Sequence, residues 1–285
     1  MTSRGEQLTD PCTFHGEGPF WDAANDRLLL VDMLAGAVVE VGADGGTRRH
    51  QLAGVAAALR ARRGGGFVLA TENRFVLLGP DLTVEAQLPP VFTTPAVRMN
   101  DGGCDPQGRF YCGTMAYDET PGAGTLYRLD PDGSVYVTLR DVTISNGLQW
   151  NAAGDAVFYN DTPTDRVDRF TFDADTAAFT ERRTFTEIGG GGYPDGMAID
   201  EEDGLWVALW GGGAVYRYDP TGQLDLVVDL PVSNVTACAF GGPERRTLFI
   251  TTSRQGLEPS DQPEAGAVFR FEAGVRGAEQ HAFAG

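Results

Sequence analysis

Apolar residues in this chain come in short runs of four or five, at 27–31, 66–70, 109–112, 156–159, 205–209 and 247–250. These runs are rich in β-branched and aromatic residues and too short for a helix, so each predicts a strand. Turn signals bound them. Asp105-Pro106-Gln107-Gly108, Asn151-Ala152-Ala153-Gly154 and Glu201-Glu202-Asp203-Gly204 each lead into a strand, while Asp130-Pro131-Asp132-Gly133 and Asp219-Pro220-Thr221-Gly222 follow one. Such tetrads supply the preset angles and left-handed positions that tight hairpins need. No stretch of three helical turns carries a helical period. The pattern predicts an all-β chain.

The pattern also repeats. Asp101-Gly102, Asn146-Gly147 and Asp195-Gly196 are spaced 45 and 49 residues apart, with a further equivalent near Cys238 and Glu17-Gly18 two steps upstream. Units of about 40–50 residues holding four short strands are the signature of propeller blades. Six of them account for the length, which predicts a single six-bladed β-propeller domain over residues 1–285. In that fold the first strand of every blade lines a central channel. Residues opening those strands meet at one mouth although they lie far apart in sequence.

Composition narrows the partners. Acidic residues outnumber basic ones 40 to 22, for a net charge of −18. A chain this acidic is a poor match for nucleic acid or an anionic membrane surface. All 22 basic residues are Arg; without Lys there is neither Schiff-base chemistry nor a phosphate-loop lysine. The cysteines Cys12, Cys104, Cys112 and Cys238 form no CxxC pair, and residues 1–20 hold no apolar run of signal-peptide type. These features predict a soluble, cytoplasmic, reduced protein, and nothing in them demands more than a monomer.

The candidate chemistry sits at the repeated positions. An Asp-Gly or Asn-Gly pair alone reads as a turn. Glu17, Asn146 and Asp195 recur at the blade period where the fold gathers side chains, and Glu-Gly is not a favoured turn pair. Three oxygen donors without His or Cys suit a hard divalent cation. His15, His50 and His281 show no metal spacing; His15 reads as an ordinary loop histidine, with a supporting role behind Glu17 as the alternative. No Gly-x-Ser-x-Gly elbow occurs. Trp21, Trp150 and Trp206 are expected in interblade packing and Trp210 at the pocket. The glycines at 189–192, just before Tyr193-Pro194-Asp195, are expected to form a mobile rim.

Several strings then converge on one family. Gly16-Glu17-Gly18-Pro19, Arg98-Met99-Asn100-Asp101-Gly102, Gly113-Thr114-Met115, Ser145-Asn146-Gly147, Tyr193-Pro194-Asp195-Gly196-Met197, Ala208-Leu209-Trp210-Gly211-Gly212 and Phe240-Gly241-Gly242-Pro243 occur in family order. As a set they resemble the senescence marker protein/gluconolactonase/luciferin-regenerating enzyme family. The resemblance implies one divalent ion (Ca²⁺, Mn²⁺, Mg²⁺, Zn²⁺ or Fe²⁺) on Glu17, Asn146 and Asp195, and hydrolysis of a small sugar-derived lactone to the aldonic acid. It places Arg98 and Asn100 on the substrate, with Asp118 as the acidic substrate contact and Glu119 adjacent. Asp195 would orient the attacking water or take its proton. Two alternatives stay open: another ester, lactone or phosphoester at the same site, and a propeller that binds a metal or a partner without catalysis.

Overall fold

The computed structural model describes residues 2–52, 54–189, 191–258 and 260–285. Strands dominate it; the single 3₁₀ turn is Thr162–Thr164, and no helix among the described residues is long and apolar enough to cross a membrane. Six antiparallel sheets form a ring, so the protein is a six-bladed β-propeller. The innermost strands, blade by blade, are Gly16–Asp22, Ala56–Ala61, Val97–Cys104, Ser145–Trp150, Tyr193–Ile199 and Val235–Gly241.

Both ends of the chain serve closure. Glu6–Gln7 supplies the outermost strand of the sixth blade, and Thr2–Arg4 adds a parallel fifth strand to the fifth blade. These N-terminal pairings fasten the first-made segment to the last-made blades, so the ring shuts through backbone hydrogen bonds. The C-terminal segment straps the opposite face. Its backbone reaches Arg245, Ile199, Ala61 and Gly108 in turn, and the Gln280 side chain accepts from the Trp21 N–H. Phe283 anchors the strap by burying its ring, 2% exposed, in the core of the second blade.

One irregularity positions the functional site. All six inner strands carry a register shift with one extra residue near their N-terminal ends, at Glu17/Phe20, Ala56/Ala58, Met99/Gly102, Ser145/Leu148, Pro194/Met197 and Val235/Ala237. A bulge re-aims the side chains beside it. The Asn-Gly and Asp-Gly pairs are therefore not hairpin turns but bulges inside the channel wall. After Asn146 and Asp195 glycine follows because the neighbouring inner strand leaves no room for a Cβ. One on Gly147 would lie 2.5 Å from Met197 Cε and 2.8 Å from the Asp195 carbonyl oxygen, and one on Gly196 only 2.4 Å from Ala237 Cβ.

Candidate active site

At the bulged end of the channel a cavity of about 370 Å³ is lined by His15, Glu17, Arg98, Asn100, Met115, Glu119, Ile144, Asn146, Thr162, Pro163, Tyr193, Asp195, Trp210 and Gln255. Glu17, Asn146, Asp195, Arg98 and Asn100 are thus brought together from four blades, each no more than 6% exposed. The other end of the same strands opens into a separate cavity of about 400 Å³, roofed by residues 278–281 of the C-terminal strap.

A chain of hydrogen bonds fixes how the amides point. Arg98 Nη1 donates to Asn100 Oδ1 at 2.6 Å, Asn100 Nδ2 to Asn146 Oδ1 at 2.8 Å, Asn146 Nδ2 to Thr162 Oγ1 at 2.7 Å, and Thr162 Oγ1 to the Pro194 carbonyl at 2.8 Å. The first member can only donate and the last can only accept, so every amide between them has one allowed orientation. Asn146 Oδ1 thereby keeps a lone pair free. Asn100 also holds the fourth blade by donating to the Ser145 carbonyl at 2.9 Å.

The electrostatics are unbalanced. Glu17, Asp101 and Asp195 are buried carboxylates that repel one another. Arg98 faces Glu17 and Asp195, and Arg60 faces Glu17 and Asp101. Desolvation first, and Asp101 second, push Glu17 up from 4.5 to about 8. Burial, then the Glu17 and Asp101 charges, raise Asp195 well above the usual carboxylate range. Asp195 Oδ1 is buried without any hydrogen-bond partner. An orphaned carboxylate oxygen in a dry site is costly unless a ligand satisfies it. A divalent cation does so, and the oxygen set of Glu17, Asn146 and Asp195 fits a hard one. Among the described residues, no three His, Cys, Asp or Glu side chains alone are placed to hold an ion; a site here would need the Asn146 amide oxygen as well.

These shifts set a pH dependence for the metal-stripped protein. Between pH 4.5 and about 8 the folded Glu17 holds a proton that the unfolded chain has released, so stability falls as pH rises through that window. His15 has the opposite sign: burial, then Arg98, lower it from 6.5 to about 3, so its contribution is lost as pH falls below 6.5. Chelator-treated wild type should therefore lose stability relative to Glu17→Gln between pH 5 and pH 8. Melting curves of the two proteins across that range test it, and parallel profiles would refute it.

The structure departs from expectation at Asp118. Its carboxylate is exposed, and Oδ1 accepts from the Thr120 N–H at 3.1 Å and the Thr120 hydroxyl at 2.8 Å. The turn consumes this side chain. Glu119, with a left-handed backbone at φ 57°, lines the cavity instead. His15 is no plain loop residue: it lines the cavity, and its Nδ1 sits 2.8 Å from Ser253 Oγ. Trp210 reaches the cavity as expected, whereas Trp206 is fully buried in the fifth and sixth blades' core. Of the 189–192 glycines, Gly190 lies outside the described residues.

Residues 15–254 match the sequence profile described as the SMP-30/Gluconolactonase/LRE-like region. The chain belongs to that family. Regucalcin from Xenopus laevis is 36% identical over 285 residues, covering 95% of each chain. Among solved structures, a calcium-binding protein, regucalcin, from Agrobacterium tumefaciens superposes with a TM-score of 0.93 at 27% identity, covering 99% of this chain and 98% of the other. A luciferin-regenerating enzyme gives 0.89 at 28% identity, covering 98% and 99%. The family match spans all six inner strands and every cavity-lining residue except Gln255, which follows its last position.

Proposed function

We propose that this SMP-30/gluconolactonase family member is a metal-dependent lactonase that opens a hydroxylated lactone ring to its hydroxy acid. The observation that carries this reading is the unpaired, buried Asp195 Oδ1 beside Glu17 and Asn146 Oδ1, in a cavity that also holds Arg98. The calcium-binding relative supports a hard cation on those three residues. Such an ion polarises a carbonyl and acidifies water.

The chain's own groups supply the rest. Asp195 takes a proton from the attacking water at its carboxylate as the new C–O bond forms. The proton then passes to the ring oxygen as the ring C–O bond breaks, so water and lactone give one hydroxy acid. Arg98 donates to the oxygen on which negative charge develops; its donors are fixed before substrate arrives. Asn100 holds the Arg98 guanidinium and offers the second lone pair of its Oδ1 to a ring hydroxyl. Glu119 takes the place anticipated for Asp118 as the acidic contact at the wall.

A proton-release assay on metal-stripped protein, with a panel of aldonolactones and each divalent ion added back, tests the reading. Metal-restored turnover that discriminates among lactones is the expected result. Background rates with every ion, in protein shown to be folded and metal-loaded, would sink it.

A further inference from the structure

Floor and rim of this cavity differ in chemistry. Glu17, Arg98, Asn100, Asn146 and Asp195 make the floor polar. Tyr193 at its wall is 51% exposed, and Phe14 and Tyr117, each close in sequence to a lining residue, are both 48% exposed. Tyr193 lines the cavity directly, and Phe14 immediately precedes cavity-lining His15. Tyr117 carries the Arg98 guanidinium over its ring at 5.9 Å.

None of the three sits on a loose segment. The Phe14 N–H donates to Asp32 Oδ1 at 3.1 Å, and its carbonyl accepts from the Arg254 N–H at 2.8 Å. The Tyr117 N–H donates to the Ala96 carbonyl at 2.9 Å and its hydroxyl to Glu72 Oε1 at 2.8 Å. Tyr193 pairs in register with Trp210 across the first two strands of the fifth blade. Trp210 in turn meets the His15 ring edge-on, with centroids 5.9 Å apart. Aromatic surface therefore runs from His15 through Trp210 to Tyr193 along the cavity wall, on fixed backbone.

Single exposed apolar residues such as Val84 and Leu224, on outer strands, need no explanation. Rigid aromatic rings gathered at the mouth of a polar-floored cavity do, because they offer apolar area that only a ligand covers. A bare polyhydroxy lactone has little apolar surface to place there. We propose that the lactone this site favours carries an apolar arm, alkyl or aryl, which leaves the polar floor and lies along Tyr193 and Trp210. This inference rests on the lactonase reading for the position of the ring.

The test uses metal-replete enzyme and three γ-lactones: the unsubstituted ring, its γ-pentyl derivative and a polyhydroxylated ring of the same size. Binding of the corresponding unsubstituted and γ-pentyl lactams, which resist hydrolysis, is measured by calorimetry. The expected result is a γ-pentyl preference of about tenfold or more in kcat/KM over the unsubstituted ring, matched in lactam affinity. Tyr193→Ala should pull that ratio toward one. Because the ratio is taken within one protein, loss of folded enzyme cancels. Equal rates and affinities with and without the arm would overturn the arm, and turnover of the polyhydroxylated ring by the same protein would leave the lactonase reading in place. Arm-dependent lactam binding with no lactone turnover would do the reverse.

Discussion

Asp195→Asn is expected to lower turnover by about 10³-fold or more, the scale on which loss of a positioned proton acceptor is felt. The substitution keeps the shape of a side chain 5% exposed and removes only its charge. Folding should survive it. In the metal-free protein Glu17 and Asp101 crowd Asp195, so neutralising it relieves a buried repulsion. The melting temperature without metal should therefore hold or rise, while the increase caused by adding a divalent ion should shrink. Turnover, the metal-free melting temperature and the metal-induced shift are three separate readouts. An active Asp195→Asn protein would remove this carboxylate from the reaction, and an undiminished metal-induced shift would remove it from the ion.

The period of the Asp-Gly and Asn-Gly pairs made the ring of blades legible, because each blade must start its inner strand alike. Glu17, Asn146 and Asp195 followed from that period and from residue type. What the period did not reveal was why glycine follows Asn146 and Asp195. Turn chemistry and a bulge under close interstrand packing demand the same residue, and only contacts such as Gly196 against Ala237 tell them apart. Asp118 shows the same limit on a loop: an Asx turn to Thr120 competes for the carboxylate, and no spacing rule counts that competition. Asp101 stood in view inside Arg98-Met99-Asn100-Asp101-Gly102. Its weight in the site became plain only with its burial beside Glu17 and Asp195.

Arg98→Met should lower kcat/KM by about 10²-fold to 10³-fold, the effect of losing one preorganised donor to developing charge. It acts by two routes that a single rate does not separate. One is direct: the guanidinium faces Glu17 and Asp195, and its loss leaves Arg60 to balance Glu17. The other runs through Asn100. With Arg98 gone, Asn100 Oδ1 loses the donor that orients it, the orientation of the amide chain is no longer imposed, and Asn146 Oδ1 need not stay available. The second route predicts non-additivity. If both residues act through one chain, the double variant Arg98→Met/Asn100→Ala should cost much less than the product of the two single effects. Weakened metal affinity in Arg98→Met would accompany that result, since Asn146 is two hydrogen bonds away. Strictly multiplicative losses with unchanged metal affinity would confine Arg98 to the substrate and break the proposed link between the cation and the ion's amide ligand.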